Sequence, residues 1–290
     1  MTLILDYSAL GIATGGLYAL IALGIIVIFR ASHTFNFAMG EMMTLSAYLF
    51  YTIAVTYSFG IVAGLIASAI GSVIVALLIE RAVLRPMVGQ PFIAIVMVTF
   101  GVGSVIRGVM SLIWGPMDRQ VPALLARDPV MLGEIFIPGK SARAFAIAVV
   151  IVISLILYLR YSRAGIALRA TAADQMTAYS MGIDVRRVIQ FAWIIAALAG
   201  SISGIMVANV NSLTPHMGLI VLNILSVIIL GGLNSIGGCL IAGLIIGWLE
   251  AMTGLFLGGE FREITPYILV LLVLLVRPNG LFGTKEVERI

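Results

Sequence analysis

The chain has 290 residues, 61% of them hydrophobic and only 10% charged, with a mean hydropathy of +1.16. Soluble globular domains carry about 25% charged residues, so these values exclude a packed soluble core and call for an apolar solvent. The net charge of +4 sits beside apolar runs and reads as membrane orientation rather than nucleic-acid binding, while a single cysteine, Cys239, excludes an internal disulfide or a multi-cysteine metal site.

Apolar runs of about 20 residues, the length that spans a bilayer as a helix, recur along the whole chain. In order they are Leu10–Phe29, Phe37–Tyr57, Phe59–Ile79, Pro91–Trp114, Ala144–Leu159, Val188–Val210, Leu219–Leu230, Leu240–Leu257 and Ile264–Val276. The first has no basic residue before it and is longer than a signal-peptide core, so it is expected to remain as the first membrane helix. The runs at Leu219 and Ile264 are short for a span. "LGGLNSIGG" (Leu230–Gly238) reads as a break in a helix rather than a water-facing loop. The fold class is all-α: a polytopic membrane protein with about 8–10 transmembrane helices, some broken or re-entrant.

Lys and Arg set the orientation. "ERAVLR" (Glu80–Arg85), "LRYSRAGIALR" (Leu159–Arg169), "RR" (Arg186–Arg187) and "RPNG" (Arg277–Gly280) are all cytoplasmic if the runs alternate from an external N-terminus. The C-terminus is then cytoplasmic, and the loop Gly115–Arg143, with mixed charges including Arg127 and Asp128, faces the other side. Small residues recur at fourfold spacing in Gly11, Gly15, Ala19; in Ala63, Ala67, Gly71; in Ala192, Ala196, Gly200, Gly204, Ala208; and in Cys239, Gly243, Gly247, Ala251. That spacing puts each set on one helix face, where backbones can approach closely.

Motifs for chemistry are weak. "PGKS" (Pro138–Ser141) lacks the phosphate-loop glycine five places before Gly139, because Glu134 stands there and Gly133 is one place off. "FGVGSVIRG" (Phe100–Gly108) has Ile106 at the third glycine place of a dinucleotide fingerprint. His33 and His216 fall on opposite sides in this topology, which disfavours a membrane enzyme. Three charges fall inside apolar runs: Glu41, Arg107 and Glu250. Arg107 is about two turns from Trp114 and within snorkelling reach of the interface, and Glu250 approaches a membrane face. Asn36 in "NFAMGE" (Asn36–Glu41) caps a helix whose first turn holds Glu41 at the positive end of the dipole. That start lies either at the membrane surface or inside the membrane, bordering a transport path. Asn234 or Ser235, followed by Gly237 and Gly238, forms a comparable start late in the chain.

"RATAADQMTAYSMGIDVRR" (Arg169–Arg187) is a polar island between apolar runs. Its composition favours a short helix with Asp174 near the beginning and Gly182 at the end, followed by re-entry at Val188. Ala173, Met176, Met181 and Ile183 give it an apolar side, suited to an interfacial anchor or to a groove on a partner protein.

Together with "GGLYALIALG" (Gly15–Gly24), "ERAVLRP" (Glu80–Pro86), "RAGIALRATAADQMTAYSMGIDVRRVI" (Arg163–Ile189) and "RPNGLFG" (Arg277–Gly283), these motifs resemble, almost end to end, the LivH-type permease subunits of ABC importers for branched-chain amino acids. The resemblance implies a single permease domain over residues 1–290, with a cytoplasmic coupling loop at 160–187 that docks on an ATPase. The docking set is then Arg169, Ala172, Ala173, Asp174, Met176, Met181 and Gly182. Asn36, Met39, Gly40, Glu41, Asn234, Ser235, Gly237 and Gly238 are candidates for the translocation path. It further implies a bacterial inner-membrane location, a second related permease, two ATPase subunits that bind ATP in place of any cofactor in this chain, and an extracytoplasmic binding protein. A self-sufficient secondary transporter or channel is the alternative.

Overall fold

A computed structural model describes residues 2–87, 89–121, 128–132, 135–277 and 280–283. Arg127, Gly133, Glu134, Pro278 and Asn279, used in the sequence reading, lie outside the described residues. The helices are α1 (Thr2–Ser32), α2 (Met39–Tyr51), α3 (Ile61–Ile79), α4 (Phe92–Trp114), α5 (Gly139–Tyr161), α6 (Arg163–Ala173), α7 (Gln175–Ser180), α8 (Val185–Val210), α9 (Val221–Gly231), α10 (Ile236–Phe256), α11 (Gly259–Arg262) and α12 (Thr265–Val276). The only strands among the described residues, β1 (Val130–Leu132) and β2 (Ile135–Ile137), form a small antiparallel hairpin. Beta-branched residues crowd helices such as α3, yet in lipid each backbone group must be satisfied within its own segment, so helix wins over propensity.

Six helices among the described residues are long and apolar enough to cross a membrane: α1, α3 continued to Met87, α4, α5, α8 and α10. The expected runs at Leu219 and Ile264 are the shorter helices Pro215–Gly231 and Thr265–Val276. The run at Phe37 is α2 followed by a π-helical turn, Thr52–Thr56. α1 starts at Thr2 rather than Leu10, and Asp6 in its opening turns accepts from the Phe136 amide of the hairpin at 2.7 Å.

Two compact units share the chain. Residues 1–26, 125–149 and 222–290 form one, and 27–124 with 150–221 form the other. In the first unit, α1 and α10 meet through their small-residue faces. A Cβ on Gly15 would lie 2.8 Å from the Leu244 Cα, and one on Gly247 would lie 2.5 Å from the Gly15 Cα. Contact at that range is open only to glycine and brings the two backbones together. Glu250 is buried in this unit. Tyr18 donates to its carboxylate at 2.8 Å and Asn223 at 3.4 Å, and Arg262 lies 3.8 Å away. A buried carboxylate needs such partners, and neighbouring helices supply them.

In the second unit α2 is central and packs on α3, α4, α8 and the 3₁₀ turn Pro215–Ile220. The α8 stripe is buried as expected: Gly200 faces Met39 and Gly204 faces Met43. The α3 stripe is offset by one residue from the expected Ala63, Ala67 and Gly71. Gly64, Ser68, Ser72 and Ala76 are buried, with the Ser201 hydroxyl 3.3 Å from that of Ser68. The opposite face of α3, Val62, Ile66, Ile70, Ile74 and Leu78, is exposed and apolar, as a lipid-facing surface must be.

Candidate functional site

The chain leaves α1 at His33 in a left-handed conformation (φ 54°) and runs non-helically to Ala38 before α2 begins. Along this path it climbs α4. Phe35 meets Phe92, and Phe37 stacks on Phe100 with centroids 4.5 Å apart. Glu41 then stands beside Gly103, and Thr52 accepts from the Trp114 indole at 2.8 Å. Gly103 lies about 16 Å along α4 at 1.5 Å per residue. The "NFAMGE" helix start is therefore beside the middle of a spanning helix and not at the membrane surface.

Non-helical backbone at that depth survives only where protein satisfies it. Asn36, which is fully buried, accepts from the Ala38 amide through Oδ1 at 3.0 Å and sends Nδ2 towards the Met42 sulfur at 3.5 Å. Thr99 Oγ1 accepts from the Phe37 amide at 3.4 Å, and the Asn36 carbonyl accepts from Met39 N–H at 3.3 Å. Ala38 occupies the cap position, so Asn36 acts two residues before the cap. Met39 and Gly40 are buried too: Met39 against Gly200, and Gly40 so close to Gly218 that a Cβ there would strike its carbonyl.

The snorkelling expected of Arg107 does not occur. Helical side chains lean towards the N-terminus, which sends Arg107 towards the middle of α4 and away from Trp114. There it forms an ion pair with Glu41. Glu41 is thus more than a dipole partner for α2. The pair joins residues 66 apart in sequence, and no local spacing signals it. Gly103 makes room, since a Cβ there would sit 3.1 Å from Glu41 Oε2.

The second helix start, in the other unit, is capped by Ser235, whose hydroxyl accepts from Gly238 N–H at 3.0 Å. Asn234 and Gly237 are exposed, and Gly238 packs against Gly231. The α9–α10 break is closed by residues 280–283 of the "RPNGLFG" motif, where Leu281 N–H donates to the Leu230 carbonyl at 2.8 Å and Gly283 lies against Gly232. Two motifs read separately in the sequence thus meet.

The polar island folds as two helices rather than one. Ser162 caps α6 by accepting from Gly165 N–H at 3.0 Å. Arg169 turns back to donate to the Leu159 and Arg160 carbonyls at the end of α5. Ala172 is partly buried and Ala173 exposed. Asp174 ends α6 and caps α7, accepting from Thr177 N–H at 2.8 Å, and that bond holds its carboxyl below the usual range. Gly182, at φ +84°, turns the chain into α8. α7 is fastened underneath by buried Ala178 and by Gln175, which donates to the Ala31 carbonyl at 3.1 Å. Its outer surface carries Met176, Tyr179 and Met181, exposed at 81%, 72% and 79%. A cleft of about 650 Å³ at this end of the unit is lined by the α1 end, Arg85, Phe92, Gln175, Arg186 and Trp193. The basic ends of α3 and α8 are therefore gathered at the same end of this unit.

"PGKS" opens α5, and a Cβ on Gly139 would run into the Asp128 carbonyl, so backbone occupies the space a phosphate would need. Among the described residues no group of three or more His, Cys, Asp or Glu is placed to hold a metal ion.

Residues 8–276 match the family model described as "Branched-chain amino acid transport system / permease component". The chain is 30% identical to the "High-affinity branched-chain amino acid transport system permease protein LivH" of Escherichia coli (strain K12), over 97% of this chain and 96% of that one. It is 26% identical to the corresponding protein BraD of Pseudomonas aeruginosa, with the same coverage. It is also 26% identical to "Probable branched-chain amino acid transport permease protein LivH" of Methanocaldococcus jannaschii, over 94% of this chain and 91% of that one. No solved structure matches.

Proposed function

The chain belongs to the family of branched-chain amino acid transport permease components, and from that membership we propose that it is the membrane-spanning permease subunit of an ATP-driven ABC importer for branched-chain amino acids. Residues 1–290 act as one permease domain in the bacterial cytoplasmic membrane, with the C-terminus and the loop 160–187 inside. A second related permease completes the translocation path. Two ATPase subunits bind and hydrolyse the ATP, and an extracytoplasmic binding protein delivers the substrate, so this chain needs no catalytic residue of its own.

The observation that carries the reading is the outer surface of α7. Met176 and Tyr179 on six-residue α7, and Met181 directly after it, are exposed, while neighbours fasten the helix from beneath. Exposed apolar clusters of this kind mark protein contacts. They fit a groove on an ATPase better than lipid, because the helix carries Asp174 at one end and Asp184 follows at the other. The alternative, a self-sufficient carrier, has no use for such a knob.

The test is co-purification of the ATPase with Met176→Asp combined with Met181→Asp. Both side chains are solvent-exposed in this chain, so insertion and folding should survive. Burying unpaired carboxylates in the contact costs several kcal/mol, and ATPase recovery should fall at least tenfold. Undiminished recovery would remove the docking assignment.

A further inference from the structure

We propose that Arg107 contacts the carboxylate of the amino acid in transit, from a flank of α4 that lines a water-filled path rather than lipid. The substrate class rests on the function proposed above; the placement of the flank does not.

α4 has 23 residues and spans about 34 Å, close to the full hydrocarbon thickness. Arg107 lies about 10 Å inside the Trp114 end, and its side chain leans further inward. The ion pair it makes is lopsided. The Glu41 side chain is sealed, at 4% exposure, whereas that of Arg107 is 27% exposed, and its buried Nε has no acceptor. Part of this cationic side chain is thus exposed at a depth where lipid is a costly neighbour. Water or a polar partner must lie against it.

The residues around it agree. Met97, Gly101, Ser104, Gly108 and Ser111 follow one another in steps of four and three, which puts them on one flank of α4, next to Arg107. A Cβ on Gly101 or Gly108 would meet nothing within 4 Å. Beyond Met97, which is large and exposed, this flank is small, hydroxyl-bearing and open. The other flank is Val98, Val102, Val105, Val109 and Leu112; Val98, Val102 and Val105, with Gly101 at the boundary of the two flanks, line an apolar groove with Leu78 of α3. Lipid suits the second flank and not the first. A zwitterion passing the first flank meets a cation already half-neutralised by Glu41, which holds a carboxylate without trapping it.

The first experiment reads the flank without reference to substrate. Single cysteines replace Ser104 or Val105 in a Cys239→Ser background, in the assembled complex, and react with the water-soluble anionic reagent methanethiosulfonate ethylsulfonate. Ser104→Cys should react at least tenfold faster than Val105→Cys. Equal, slow rates would place the flank in lipid and overturn the proposal.

The second measures radiolabelled leucine uptake and ATP hydrolysis by the reconstituted complex. Glu41→Gln leaves Arg107 in place but no longer half-neutralised, so uptake should persist with a KM for leucine lowered at least threefold. The double variant Glu41→Gln with Arg107→Gln removes both charges, so no buried carboxylate is stranded. It should assemble and hydrolyse ATP while losing at least tenfold in uptake. A purely structural pair gives the opposite order, with the single variant impaired and the double variant recovered, and that result would overturn the role of Arg107. If the function itself were misassigned, the unmodified complex would take up no leucine, while the cysteine rates would still report the flank.

Discussion

Gly40 and Gly218 touch backbone to backbone, and neither neighbour has a flexible end that could give way. In an open helix, replacing glycine by alanine gains about 0.5–1 kcal/mol. At Gly40 the sign should reverse, because the added methyl meets a fixed carbonyl and overpacking costs about 1–3 kcal/mol. Thermal unfolding of the purified complex should show Gly40→Ala melting several degrees lower and Gly101→Ala unchanged or slightly higher. Equal melting temperatures would mean that the 3₁₀ turn is free to retreat. Single residues were legible in the sequence only where local rules apply. Asp174 near a helix beginning, Gly182 as a helix end and a cap at Asn234 or Ser235, which the structure assigns to Ser235, follow from neighbours a few positions away. The partner of Glu41 does not, since a charge 66 residues distant is brought to it by tertiary packing alone. The direction in which Arg107 leans was available from helix geometry. It favours the middle of α4 over Trp114, and the distance to the interface concealed it.

Helices were the most legible level, because a run of apolar residues in lipid has few alternatives to helix. Their lengths and breaks were less so. The island of residues 169–187 divides at Asp174, since a residue that caps the next helix with its side chain also stops the previous one. The face of α3 was misplaced by one position for a related reason. Ala63, Ala67 and Gly71 look like a packing stripe, but the serines beside them satisfy their hydroxyls within α3, with Ser72 donating to the Ser68 carbonyl at 2.7 Å. Serines satisfied in this way count as small residues and pack inward. The consequence is testable. Ser68→Leu should lower the yield of assembled complex severalfold, because it drives a large side chain into the contact with α8, whereas Ile66→Ala on the outer face should leave yield unchanged. The reverse ranking would return the packing stripe to Ala63 and Ala67.

Orientation belongs to the whole molecule. The basic ends of α3 and α8 and the α7 knob share one end of their unit, and the other end holds Trp114 and the backbone bridge between Arg119 and Leu213. By the positive-inside rule the first end is expected to be cytoplasmic. In intact cells an impermeant thiol reagent should label Met117→Cys, and should label Tyr179→Cys only after permeabilisation; both positions are well exposed. Native Cys239 is buried with its sulfur near the Ile228 and Gly232 carbonyls, and should stay silent in both conditions. Strong labelling of Tyr179→Cys from outside would invert the molecule. The tail that closes the α9–α10 break carries its own consequence, for the order in which the protein is made. A ribosome delivers Leu230 to the membrane long before Leu281, so the break must wait, unfinished, while α10 to α12 are inserted. Its hydrogen bond from Leu281 is available only after those helices have been made. Residues 280–283 therefore act as a latch set only after those helices are made, and a chain stopped short of Gly280 would be released with that corner still open to the quality-control proteases of the membrane.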